Sequence, residues 1–157
     1  MCTSFGYEEY LTPVFESAEI YRAKSGEDIG GKELMVFTDK AGRELAIRPE
    51  MTPSVTRMVS RIYEGASKPL RLFSIANFVR NEKPQRGRNR EFWQLNLDIF
   101  GSRLLQSDVE IAQMCAEIML AFDAPRESFT IFLNNRKLIE FILNQVAQVS
   151  AEQKVAV

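Results

Sequence analysis

Between Phe78 and Trp93 the sequence places five cations, Arg80, Lys83, Arg86, Arg88 and Arg90, against two anions, Glu82 and Glu91. That segment carries a net +3 in a chain whose total is -1, so positive charge is concentrated in one short stretch. Guanidinium groups crowded around a turn repel one another, and a polyanion such as triphosphate relieves that repulsion. The same cations could stand in water or grip a nucleic-acid backbone, and spacing alone does not choose. A second candidate is Glu50, which follows Arg48-Pro49 at a strand-to-helix junction, where a carboxylate can receive an ammonium group. Thr52 beside it has the residue type of a helix N-cap, and on local grounds capping is the stronger reading for it than binding.

Alternating and helical patterns supply the elements that must hold these groups. Arg71 to Arg80 and Arg90 to Phe100 read as two long strands joined antiparallel around the polar loop Lys83-Pro84-Gln85-Arg86-Gly87-Arg88. Side chains alternate across a strand, so Trp93, Leu95, Leu97 and Ile99 share one face and Phe92, Gln94, Asn96 and Asp98 the other. The first set is expected to be core, so that Leu97→Ala would cost roughly 2–5 kcal/mol, and the second polar. Ser74, Ala76 and Arg80 fall together on one face of the first strand, where small side chains could leave room for a ligand beneath the guanidinium. Tyr10 to Glu16 reads as a strand interrupted by Pro13. Leu34 to Thr38 and Glu44 to Arg48 form a hairpin around Asp39-Lys40-Ala41-Gly42. Pro53 and the stripe Val55, Met58, Val59 and Ile62 predict a helix that ends near Gly65. Ser107 and Glu110 have capping-box spacing before a stripe of Ile111, Met114, Ile118, Met119 and Phe122. Phe129 to Leu133 reads as a further strand and Asn135 to Val146 as a further helix. Ser25 to Gly31 reads as a surface loop, and Ala147 to Val157 lose periodicity.

Composition narrows the chemistry. The 157 residues, 45% hydrophobic and 26% charged, fit one ordinary soluble domain. Neither a signal peptide nor an apolar run of membrane-spanning length is present, so a cytoplasmic protein without membrane contact is expected. The absence of histidine removes Ser-His-Asp and Cys-His pairs, and the two cysteines, Cys2 and Cys115, lack metal-ligand spacing. Free thiols and no metal site built from protein side chains are expected, which leaves carboxylates, arginines and amides for any chemistry.

Phe78-Val79-Arg80-Asn81-Glu82, the Arg86-Gly87-Arg88 loop and Arg90-Glu91-Phe92-Trp93-Gln94 together resemble motif 2 of a class II aminoacyl-tRNA synthetase. Arg48-Pro49-Glu50-Met51-Thr52-Pro53-Ser54, with Asn81 to Arg88 and Asp98-Ile99-Phe100-Gly101, resembles the histidyl-tRNA synthetase family in particular. Gly6-Tyr7-Glu8-Glu9 leading to Thr12-Pro13-Val14-Phe15-Glu16 is similar to the end of that family's motif 1. The likeness runs from about residue 5 to 145, with 146–157 as the start of a continuation, so residues 1–157 read as one partial catalytic domain. The resemblance implies an α+β fold, an antiparallel sheet flanked by helices, here incomplete.

It also implies roles. Arg80 would meet the α-phosphate of ATP, Glu82 the adenine side and Arg88 the terminal phosphate, with Phe92 stacked on adenine. Arg80 and Arg88 would be the catalytic pair. Glu50 and Thr52 would hold the histidine ammonium with Gln94 nearby, and Asp98 would face the imidazole. Magnesium would bridge phosphate oxygens. Histidine, ATP and tRNA(His) would be the substrates, with a homodimer as the working form. The family's motif 3, its histidine-specific segments and its anticodon-binding domain are expected outside these residues, so the chain alone is not expected to charge tRNA. Two rivals stand beside this reading. One is the non-catalytic paralogue that regulates ATP phosphoribosyltransferase in histidine biosynthesis, which tends to lose the adenylation residues; Arg80, Glu82, Arg88, Glu50 and Gln94 are all present here. The other is a general RNA-binding hairpin, for which steep salt dependence without preference for ATP would be the signature.

Overall fold

The computed structural model describes residues 1–23 and 31–146. Residues 25–30 of the expected surface loop and the tail from Ala147 lie outside the described residues. Two compact units are present, one ending at Val109 and one beginning at Glu110.

The first unit is organised by two three-stranded sheets. In one, β1 (Glu8–Glu9) runs parallel to β5 (Leu70–Val79), which pairs antiparallel with β6 (Glu91–Phe100), in the order β1-β5-β6. In the other, β2 (Phe15–Ser17), β4 (Glu44–Ile47) and β3 (Val36–Thr38) are antiparallel in the order β2-β4-β3. The expected hairpins are both present. Between β3 and β4, Asp39 Oδ1 accepts from the Ala41 and Arg43 amides at 2.9 Å each, the local bonding that makes Asp a turn residue. Residues 10–14, expected to be strand, run between β1 and β2 outside both ladders; the Tyr10 amide still donates to the Phe73 carbonyl at 2.9 Å and the Val14 carbonyl accepts from the Arg48 amide at 3.0 Å, while Pro13 between them has no amide hydrogen to offer. A short helix not anticipated from the sequence, α1 (Ala18–Arg22), follows β2 and buries Ala18 and Tyr21.

Helix α2 (Thr52–Ile62) carries Pro53 in its first turn, as predicted, but Met51 rather than Thr52 occupies the N-cap position and no side chain caps the helix. The Val55 amide donates to the Met51 carbonyl at 3.0 Å, so the helix begins one residue before a Thr52 cap would allow. Val55 and Val59, one turn apart, bury against the β5–β6 sheet in a core formed with Tyr10, Met51, Leu72, Ala76 and Phe78; Ile62 is exposed. A smaller cluster gathers Ala18, Tyr21, Leu34 and Ala46.

The strand faces separate as expected, but the covering is reversed. Leu72, Ala76 and Phe78 of β5 pair with Asp98, Gln94 and Phe92 of β6, and it is this face, bearing the polar groups, that α2 packs. On the opposite face Trp93 is 71% and Ile75 56% exposed, and Leu97 is half-buried. Polar residues therefore lie at the margin of the main core rather than on a solvated surface. Ala76 belongs to that core, and Ser74 beside it on the same face is fully buried.

In the second unit and its approach, α3 (Leu105–Ala121) starts before Ser107, whose hydroxyl meets Ser102 Oγ at 2.6 Å instead of forming a capping box with Glu110. Of its predicted stripe, Met114 is fully buried, Ile111 and Ile118 are half-buried, and Met119 and Phe122 are exposed. Residues 129–133, expected to be a strand, pair with nothing among the described residues and leave Ile131, Phe132 and Leu133 exposed. Asn135 caps α4 (Arg136–Phe141) by accepting from the Leu138 amide at 3.2 Å, and a π turn continues it to Val146. Both cysteines are free.

Candidate functional site

The ten-residue register of β5 with β6 aligns Leu72, Ser74, Ala76 and Phe78 with Asp98, Asn96, Gln94 and Phe92, and one step further the Arg80 amide donates to the Arg90 carbonyl at 2.9 Å. Period-two alternation then puts Arg80, Phe92, Gln94 and Asp98 on one face of the hairpin. Arg80 is held there on two sides. Its Nε donates to the Pro49 carbonyl at 3.0 Å, and its guanidinium carbon lies 5.1 Å from the centre of the Phe92 ring. Phe92 in turn rests against Phe78, with ring centres 6.0 Å apart and a tilt of 31°. A cation over an aromatic face is attracted by the ring quadrupole, so the guanidinium is oriented before any ligand arrives.

The loop beyond is closed by Gly87 at φ 79, with the Arg88 amide donating to the Gln85 carbonyl at 2.9 Å and the reverse bond at 3.2 Å. That turn swings Arg88 back onto Glu82, where the two form an ion pair through Nε and a second bond from Nη2 at 2.8 Å. Arg90 Nε donates to the Glu82 carbonyl at 3.0 Å, and Arg80 Nη1 lies 3.9 Å from the Glu82 carboxylate. Arg88 holds the Glu82 carboxyl below its ordinary pKa, chiefly by hydrogen bonding. Repulsion among the arginines is thus relieved in part from within the hairpin. Arg80, Glu82, Arg88 and Phe92 form one group.

Further along β6, Gln94 Nε2 donates to Asn96 Oδ1 at 2.7 Å, while Asn96 Nδ2 is buried with no acceptor among the described residues. Asp98 Oδ2 accepts from the Tyr10 hydroxyl at 2.9 Å. Burial pushes the Asp98 carboxyl above its ordinary value, and the hydrogen bond from Tyr10 pulls it back. Burial likewise raises the Tyr10 hydroxyl.

Glu50 and Thr52 flank the start of α2. With Ser17, Glu19, Ile20, Thr56 and Arg57 they line a cavity of about 710 Å³ between α1 and α2, within the range of small-ligand sites. Gln94 and Asp98 are not among its described lining residues. Because Thr52 does not cap α2, its hydroxyl is not committed to the helix start. The link to the hairpin is Pro49, whose carbonyl anchors Arg80.

Two residues to which the sequence assigned no role also shape the site. Arg48 is buried and donates through Nε to the Asn77 carbonyl at 2.9 Å, through Nη1 to the Thr12 carbonyl at 2.8 Å and through Nη2 to Asn77 Oδ1 at 3.0 Å. It joins the end of β4 to β5 and so fixes Pro49-Glu50 against the hairpin. Tyr10, eighty-eight positions from Asp98, is the other. Nothing in local spacing signals either pairing.

The histidyl-tRNA synthetase family model matches residues 1–157. A histidine-tRNA ligase of Leptospira biflexa is 47% identical over 150 residues, covering 96% of this chain and 34% of the relative; one of Opitutus terrae is 41% identical, covering 89% and 32%. Among solved structures, one described as an ATP phosphoribosyltransferase regulatory subunit/histidyl-tRNA synthetase, from Bacillus halodurans, superposes with TM-score 0.64 at 31% identity, over 73% of this chain and 29% of that one. The apo histidyl-tRNA synthetase of S. aureus, at TM-score 0.60 and 24% identity over 76% of this chain and 31% of that one, shares the fold. The chain spans about a third of the length of the curated relatives it matches, 34% in the Leptospira case. From Met1 to Val157, this chain belongs to the histidyl-tRNA synthetase family.

Proposed function

We propose that the protein to which this chain contributes is a class II histidine-tRNA ligase that joins histidine to AMP, using ATP, and passes the histidyl group to tRNA(His). The observation that carries this is Arg80, seated on Phe92 and the Pro49 carbonyl, sharing a strand face with Gln94 and Asp98. One face then offers a phosphate donor, an aromatic platform, an amide and a carboxylate in sequence, which matches an aminoacyl-adenylate from its nucleotide end to its amino-acid end.

Adenylation needs no protein base, because the histidine carboxylate is itself the nucleophile. Its oxygen forms a bond to the α-phosphorus as the bond to the pyrophosphate oxygen breaks, and charge grows on the equatorial oxygens. Arg80 would neutralise that charge from a position already fixed, so little reorganisation is required. Arg88 would exchange its Glu82 partner for the terminal phosphate, releasing Glu82 towards the adenine. Phe92 would stack on the base. Glu50 and Thr52 would take the ammonium, and Asp98 would accept from an imidazole N–H. Magnesium, entering with ATP, would supply further neutralisation of the phosphate charge beside Arg80 and Arg88. The chain would work as a partial catalytic domain, in the cytoplasm and as a homodimer in its complete form. Among the described residues no helix is long and apolar enough to cross a membrane.

The regulatory-subunit reading draws on the likeness to the Bacillus halodurans structure, but the Leptospira and Opitutus relatives carry the ligase name, and Arg80, Glu82, Arg88, Glu50 and Gln94 are retained. In the complete protein, Arg80→Ala should abolish saturable ATP binding by calorimetry and lower histidine-dependent ATP–pyrophosphate exchange by at least about a hundredfold, the order lost with one transition-state donor. ATP binding that survives the substitution would refute the nucleotide assignment, and binding that weakens steeply with salt for any polyanion would favour RNA.

A further inference from the structure

We propose that Tyr10 is the residue that positions Asp98 for imidazole recognition, an inference that rests on the proposed role of Asp98. The geometry is specific. The strand order β1-β5-β6 puts β1 and β6 on opposite sides of β5, roughly 9.6 Å apart at the usual strand spacing. Tyr10 follows β1 directly, and its amide donates to the Phe73 carbonyl of β5 at 2.9 Å, so its backbone is part of the sheet's frame. Asp98 is the register partner of Leu72, the residue next to Phe73. A phenol is long enough to cross β5 from that anchor and bring its hydroxyl to Asp98 Oδ2 at 2.9 Å, whereas serine or threonine at position 10 would fall short.

The consequence is orientation. A carboxylate on a short side chain rotates about its last bond unless something holds one oxygen. Tyr10 holds Oδ2 and is the one hydrogen-bond donor to Asp98 among the described residues, which leaves Oδ1 as the acceptor for a ligand. The ring itself is packed with Met51, Val55, Val59, Leu72, Ala76 and Phe78, so the hydroxyl cannot wander. Binding an imidazole N–H then needs no reordering of the acceptor, and that saving appears as affinity for histidine and not for ATP. The Tyr10 hydroxyl also counters in part the rise that burial imposes on the Asp98 carboxyl.

The test is a pair of substitutions in the complete protein, read by histidine-dependent ATP–pyrophosphate exchange. Tyr10→Phe keeps the ring and its packing and removes the hydroxyl; it should raise the KM for histidine about tenfold, the weight of one charge-assisted hydrogen bond, with the KM for ATP unchanged. In an Asp98→Ala background the same change should add no further loss. If Asp98→Ala raises the histidine KM but Tyr10→Phe does not, the positioning role is overturned and the reading of Asp98 stands. If neither moves it, that reading itself fails. A Tyr10→Phe effect that is equal on both substrates, or that persists in the Asp98→Ala background, would make Tyr10 a packing residue only.

Discussion

Asp98 sits under two opposed demands, since burial raises its carboxyl above the ordinary value while the proposed chemistry needs it charged. The sign of its effect on stability follows. A raised folded-state pKa means that the fold favours the protonated form, so stability is full below the unfolded carboxylate value and declines as pH rises through the folded one. Asp98→Asn keeps an acceptor for Tyr10 and removes the charge. Its melting temperature should exceed that of the native chain at neutral pH by about 2–4 °C, the shift that roughly 1 kcal/mol produces at this size, and the difference should vanish at acid pH. Thermal melts of both proteins across that range check it, and the same variant should bind histidine more weakly. Glu82 runs the other way: Arg88 lowers its pKa, so its pairing is complete at neutral pH and is lost only as pH falls through the carboxylate range.

Elements meet through Arg48 more than through any local signal. Its three donors hold the end of β4 to Asn77 and Thr12, and removing them leaves two carbonyls and an amide oxygen without a partner. Arg48→Met should cost about 3 kcal/mol in chemical denaturation, at the upper end for one substitution, because buried acceptors lose charged donors. Thr52→Ala should change stability by less than about 0.5 kcal/mol, since no cap is lost, whereas a true N-cap would cost about 1 kcal/mol. Leu97→Ala, on the face left half-open, should cost about 1 kcal/mol instead of the larger penalty of a filled core site. Denaturation of the three variants side by side separates these magnitudes.

At the level of the molecule, apolar side chains remain uncovered on both units: Trp93 and Ile75 on the hairpin, Phe132 and Leu133 in the loop before α4. With about a third of its relatives' length, the chain holds Arg88 on Glu82 and one fixed arginine, Arg80, at the proposed α-phosphate position. We predict that the chain alone supports no measurable histidine-dependent ATP–pyrophosphate exchange; robust exchange would show that Arg80 and its neighbours suffice.

Much of this architecture was legible in the order of residues, because alternation, turn chemistry and helical stripes are local. The β5–β6 hairpin, its register-bearing loop, the Asp39 turn and the α2 core stripe could all be read from neighbours within a few positions. So could the clustering of Arg80, Glu82, Arg88 and Phe92, which a single hairpin brings together. What local pattern could not show was which face of that hairpin would be covered. Both faces carry apolar residues, and only the docking of Met51, Val55 and Val59 onto Leu72, Ala76 and Phe78 chose between them. The same holds for Arg48 against Asn77 and for Tyr10 against Asp98. Strand order brings positions 10, 72 and 98 side by side, and the meeting of the two sheets brings Arg48 to Asn77, although nothing in their separation along the chain announces either.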